Sequence, residues 1–197
     1  SIDTNKDEKK EEYLNSAVDV CKQYNIIFPT FKMLENPNLI PEKIKEELKN
    51  VGIDEINPFN LFRITWSNEP KEKGGLYTEV PNYIEIPPEI SGIKSRIIML
   101  LGAHFPTGSH KVGASYGPLV TRLTSGRFDP KIHKSLWPST GNYCRGGVFN
   151  SALMHSPAVA ILPEGMSQER FDWLKSINAE IVKTPDSDSS IKGVLDE

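Results

Sequence analysis

From Ser95 onward the sequence alternates short apolar runs with stretches of helical spacing, and Gly, Ser, Thr or Pro marks each boundary. That alternation is the signature of βαβ units, and it constrains the fold more than any other feature. It predicts strands over 96–101 (RIIMLL), 134–138 (KSLWP), 158–162 (AVAIL) and 180–184 (EIVKT). Helices are predicted over 111–125, 144–155 and 167–178, with another opening near Ser189. The expected fold class is α/β: a mostly parallel sheet with helices on both faces, whose ligands gather beyond the carboxyl ends of the strands.

The first 92 residues read differently. Residues 1–28 form a charged start leading into an amphipathic helix, with Tyr13, Ala17, Val20, Cys21 and Tyr24 at three- and four-residue steps. Eight prolines then break 29–92 into short pieces. PEKIKEELKNVG gives one helix, with proline near its start and glycine past its end, and GGLYTEVPNYIEIPPEI gives extended edge structure interrupted by proline. The expected organisation is an N-terminal helical and proline-rich extension, 1–92, that forms part of a larger fold, and a βαβ cofactor and substrate domain, 93–197.

Charge and cysteine usage exclude several functions. Lys and Arg number 23 against 26 Asp and Glu, a net charge of −3 with interspersed signs. No basic field exists to neutralise the phosphates of a nucleic acid. The longest apolar runs, such as IIMLLGA, are too short to span a bilayer, so no membrane partner is expected. Cys21 and Cys144 lie far apart, and neither they nor His104, His110, His133 and His155 show metal-ligand spacing. No metal is expected, and a reducing cytoplasmic setting is the simpler reading.

Two loops carry the chemistry. GAHFPTGSHKVGASYG delivers Lys111 to the start of a helix, where the positive partial charge disfavours a cation and favours the neutral amine that a Schiff base requires. An exposed lysine in any helix's first turn would look the same, so position alone assigns nothing. WPSTGNYCRGGVFN follows the second strand and opens a second helix. Its Ser139, Thr140, Gly141 and Asn142 present small side chains and backbone N–H groups that suit a carboxylate or phosphate. Both loops are expected on one edge of the sheet, with the amine facing the anion cradle. A third segment, ILPEGMSQERFDWLKSINAEIVKTP, is read as strand, loop, helix and strand with a mainly structural role.

Together these segments resemble the fold-type II pyridoxal-phosphate enzymes over roughly residues 75–197. PTGSHKVGA is similar to the cofactor-lysine loop in its tryptophan synthase β-chain form. STGN resembles the asparagine loop of cysteine synthases, cystathionine β-synthases and threonine synthases, and PEGMSQERFDWLKSINAEIV resembles the cysteine synthase stretch that follows it. The resemblance implies pyridoxal 5'-phosphate as cofactor, held as an internal aldimine on Lys111, with Asn142 at its ring oxygen and His110 near its phosphate. Ser139, Thr140, Gly141 and Tyr143 would meet a small amino-acid substrate, derived from serine or cysteine. The implied reaction is β-replacement or β-elimination through an aminoacrylate, with Lys111 as the base at Cα.

Tyr143 stands where cysteine synthases carry a small residue, and Cys144 and Arg145 are also unusual there. STGN lacks the acidic residue of the tryptophan synthase loop, which points away from indole. The phosphate-gripping loop of such enzymes lies in their C-terminal half and has no counterpart before Glu197, so the site is expected to need a missing C-terminal half. A homodimer is the family's common assembly. Two other readings stay open: a noncatalytic fragment or family member that binds a protein through 29–92, and a nucleotide-binding α/β domain using STGN. The spacing of GNYCRGG departs from the dinucleotide fingerprint and disfavours the last.

Overall fold

The computed structural model describes residues 2–185, and side chains from residue 7 on. The helix expected near Ser189 lies outside these residues. The chain divides into two compact units: residues 1–28, 56–58 and 111–197 form one, and residues 29–55 and 59–110 form the other. The expected 92/93 boundary falls inside the second unit, and the N-terminal helix belongs to the first.

The first unit is built on three parallel strands in the order β3 (Ser135–Pro138), β4 (Ala158–Pro163), β5 (Glu180–Thr184). Register runs from Ser135 opposite Ala158 and from Val159 opposite Glu180. Helix α6 (Asn142–Leu153) crosses from β3 to β4, and α7 (Gln168–Ser176) crosses from β4 to β5. Almost every residue of β4 is buried, as a central strand requires, and this explains its unbroken apolar run. Helix α5 (Lys111–Thr124) packs on α6, and α1 (Ile2–Gln23) packs on α5. On α1, Ala17 and Val20 are buried, and the Ser16 hydroxyl donates to the Asp129 carboxylate.

In the second unit, α3 (Glu42–Leu48) follows Pro41, and a short α2 (Phe31–Glu35) is capped by the Thr30 hydroxyl. Ile40, Ile44, Leu48 and Phe62 form a core with Met33, Phe59, Leu76 and Tyr77 packed around it. Arg63 of the same unit is also buried, 1% exposed. Its guanidinium donates to the carbonyls of Val51 (2.5 Å), Leu48 (2.8 Å), Gly75 (2.9 Å) and Gly74 (3.2 Å) and to Asn60 Oδ1 (2.9 Å).

One sequence expectation is corrected here. The 96–101 run does form a strand, β2 (Ile97–Leu100), but it joins no parallel sheet. It pairs antiparallel with β1 (Tyr83–Ile86), with Tyr83 opposite Leu100 and Ile86 opposite Ile97. The connection sets the antiparallel sense of this pair. Between Ile86 and Ile97 the chain has room only for the single turn α4 (Pro88–Ser91), which Gly92 ends at φ 70°. A parallel pair needs a crossover of a dozen residues or more, whereas an antiparallel pair closes over a short one. The lysine loop therefore does not leave the edge of the sheet that carries β3.

Candidate active site

The asparagine loop lies beyond the carboxyl end of β3. The Ser139 N–H donates to the Ile161 carbonyl at 3.2 Å, which extends the β3–β4 ladder by one bond. The chain then turns, with the Gly141 N–H donating to Ser139 Oγ at 3.2 Å. Gly141 is the N-cap of α6 and brings no side chain to satisfy the N–H groups of the first turn. Those donors, with the positive end of the helix, are suited to an anion. Ser139, Thr140 and Gly141 are half-buried, and Asn142 is exposed.

Lys111 opens α5, and its side chain is exposed. Two contacts fix the relation between α5 and α6. A Cβ on Gly146 would stand 2.8 Å from the Val112 nitrogen and 2.9 Å from the Lys111 carbonyl carbon, so the backbones touch there and only glycine fits. One turn later, the Asn150 side-chain amide donates to the Val112 carbonyl at 2.7 Å and meets Ser115 Oγ at 2.9 Å. Stepping forward on α6 is stepping forward on α5, so the two helices run in the same sense and open at the same end. The backbone that carries Lys111 thus lies one helical turn from the residues that follow Gly141.

The remaining predicted residues are distributed as follows. Tyr143 is half-buried with its ring edge-on to Trp137, centroids 5.6 Å apart, and it lines a cavity of about 450 Å³ with Arg122, Arg127, His133 and Trp137. Cys144 is fully buried, and its burial pushes the thiol up to about 12, against the smaller opposing pull of Arg170 and an Ile161 backbone bond. It faces the interior, and its departure from the family pattern leaves no mark on the exposed part of the loop. Arg145 places its guanidinium 4.4 Å from the centre of the Trp173 ring on α7. His110 belongs to the second unit, where it stacks on Trp66 at 5.4 Å and 22°.

Upstream of Lys111, in the second unit, Thr107 holds φ 64° and ψ 0°. For a β-branched residue this left-handed geometry is an outlier that costs about 1–3 kcal/mol. Its N–H donates to Asp54 Oδ1 at 2.7 Å, and its buried hydroxyl finds no hydrogen-bond partner among the described residues.

Sequence reasoning missed Arg170. It was assigned to a structural segment, yet from the first turn of α7 its Nη1 donates to the Thr140 carbonyl inside the asparagine loop. The supports of Trp137 were also missed: its indole N–H lies 3.0 Å from both Ser135 Oγ and Ser151 Oγ. No periodicity signals the Arg170–Thr140 or the Trp137–Ser151 contact, because each joins separate elements, and the Trp137–Ser135 contact lies along one strand, where spacing alone gives no side-chain partner.

Comparison with known proteins bears on this arrangement. No family model matches the chain. Cystathionine beta-synthase of Saccharomyces cerevisiae is 33% identical over 98 residues, covering 50% of this chain and 19% of the yeast protein. A probable cysteine synthase of Bacillus subtilis is 32% identical over 80 residues, covering 41% and 25% respectively. Over these stretches the chain is similar to cystathionine beta-synthases and cysteine synthases. A solved structure, the O-acetylserine-dependent cystathionine beta-synthase of Helicobacter pylori, superposes with a TM-score of 0.52 at 20% identity. That match covers 58% of this chain and 38% of the other and shows the common fold. The matched stretches span a quarter or less of the two sequence relatives. Among the described residues no helix is long and apolar enough to cross a membrane, and no group of His, Cys, Asp and Glu is placed to hold a metal.

The donor set fits the cofactor of a fold-type II enzyme. A primary amine opens one helix, and an uncapped helix start with backbone N–H groups lies beside it.

Proposed function

We propose that this chain carries the cofactor lysine and the carboxylate-binding loop of a pyridoxal-phosphate enzyme that replaces or eliminates the β-substituent of a serine- or cysteine-derived amino acid. The observation that carries the reading is the side-by-side opening of α5 at Lys111 and α6 at Asn142, seen in the Gly146 and Asn150 contacts. Pyridoxal phosphate, when bound, supplies an electron-withdrawing ring that takes up the negative charge left at Cα.

The chain's own residues supply the rest. Lys111 Nζ would hold the cofactor, and the same amine, when neutral, would take the Cα proton of the amino acid as general base. Ser139, Thr140 and the N–H groups at Gly141 and beyond bind the substrate carboxylate, using the positive end of α6. That grip fixes Cα relative to the lysine. Asn142 would meet the ring oxygen, His110 would serve the phosphate, and Tyr143 would border the substrate. A homodimer and a cytoplasmic setting belong to the same proposal, and the unbonded Cys21 and Cys144 support the second.

The test is spectroscopic. The full-length protein mixed with pyridoxal phosphate is expected to show a long-wavelength absorption band that borohydride removes, with the label recovered on the Lys111 peptide. Lys111→Ala is expected to lose the band and at least about a thousandfold in turnover, since it removes both the attachment and the base. A band that persists in Lys111→Ala overturns the assignment.

A further inference from the structure

The carboxylate loop is held from outside by the next helix. Arg170, half-buried in the first turn of α7, donates from Nη1 to the Thr140 carbonyl and lies 3.9 Å from Met166 Sδ. It is not a loose surface side chain. The helix beneath it is anchored by Phe171 and Leu174, exposed by 2% and 1%, and by the Arg145 guanidinium on Trp173. The contact therefore ties the loop after β4 to the loop after β3.

The peptide bond turns this tie into a constraint on the anion site. A trans peptide is planar, and its C=O and N–H point in opposite directions. When Arg170 draws the Thr140 oxygen to one side, the Gly141 N–H must point to the other. There it meets Ser139 Oγ at 3.2 Å, a long bond that leaves the donor available to a stronger acceptor. A carboxylate is such an acceptor, and hydrogen bonds to charged groups are the stronger class. Glycine at 141 has no side chain to hold this peptide, so the orientation depends on the partner of its oxygen.

We propose that Arg170 is a positioning residue: by holding the Thr140 carbonyl it aims the Gly141 N–H at the substrate carboxylate and so sets affinity for amino acids that bear one. This rests on the reading of the loop given above and names a residue that the reading did not use. Lysine at 170 keeps one charged donor but lacks the planar fork of arginine, so it is expected to rescue in part.

The experiment uses the full-length protein loaded with pyridoxal phosphate and follows the cofactor absorbance while L-serine or L-serinamide is added. Serinamide keeps the amine and loses the carboxylate. Arg170→Ala is expected to weaken L-serine about tenfold and to change serinamide less than twofold, with Arg170→Lys between the variant and the wild type for L-serine. Equal weakening of both ligands, or of neither, overturns the proposal, since a merely structural role would not distinguish them. If Arg170→Ala does not fold, the serine-to-serinamide ratio of Arg170→Lys decides in the same way. A wild-type protein that shows no cofactor band sinks the functional reading, and this proposal with it, and is distinguishable from the other failures by that missing band.

Discussion

At the scale of single residues, the loop Ser139–Arg145 sorts its side chains by direction. Asn142 is exposed, Tyr143 turns to Trp137, and Cys144 goes fully inward. The thiolate is the reactive form of cysteine, and burial holds the Cys144 thiol at about 12, far above neutrality. Cys21 is also raised by burial but stays half-exposed. A thiol-reactive disulfide reagent near pH 7 is therefore expected to modify at most one cysteine in the native protein, the second reacting only in denaturant. Rapid native labelling of Cys144 would contradict its placement. Of this loop the sequence revealed the small residues and the helix start, which follow from local chemistry. It did not reveal Arg170, whose partner is thirty positions away, because nothing local distinguishes a first-turn arginine facing solvent from one facing a carbonyl.

At the scale of elements, α6 is positioned by two adjacent glycines that face different neighbours. A Cβ on Gly147 would fall 2.1 Å from the Trp137 ring of β3, and one on Gly146 would strike the α5 backbone. Gly147→Ala and Gly146→Ala are each expected to destabilise the protein by about 1–3 kcal/mol, read as a lower urea midpoint. Gly117→Ala is the control. It adds its methyl to open space inside α5 and is expected to raise stability by about 0.5–1 kcal/mol. Helices and parallel strands were legible because their apolar spacing repeats along the chain, and α5, α6, α7 and β3 to β5 fall within two or three residues of expectation. The 96–101 run reads as a strand from its apolar content, but that content does not say which sheet a strand joins, so its antiparallel pairing with β1 was not legible in it.

At the scale of the whole molecule, the two units depend on different interiors. The first is organised by the parallel sheet and its helices, the second by a small apolar cluster and by Arg63, whose guanidinium satisfies four carbonyls that would otherwise lie buried without a donor. Arg63→Ala leaves those acceptors unmet and is expected to cost about 3 kcal/mol or more. Hydrogen exchange checks where the loss falls: amides in 29–55 and 59–110 are expected to lose protection while those of β3 to β5 keep it. Uniform loss throughout the chain would contradict separate units. The proline-broken sequence of 29–92 gave no hint of this arrangement, since an arginine among carbonyls leaves no apolar period to detect.

Thr107 adds a link between remote parts of the second unit. Its left-handed turn stands four residues before the lysine and is tied by one hydrogen bond to Asp54, itself paired with Lys71. A turn that its own residue type disfavours cannot keep its shape unaided. Local melting around Asp54 would let the threonine relax into an ordinary extended geometry, and the slack would appear immediately upstream of position 111.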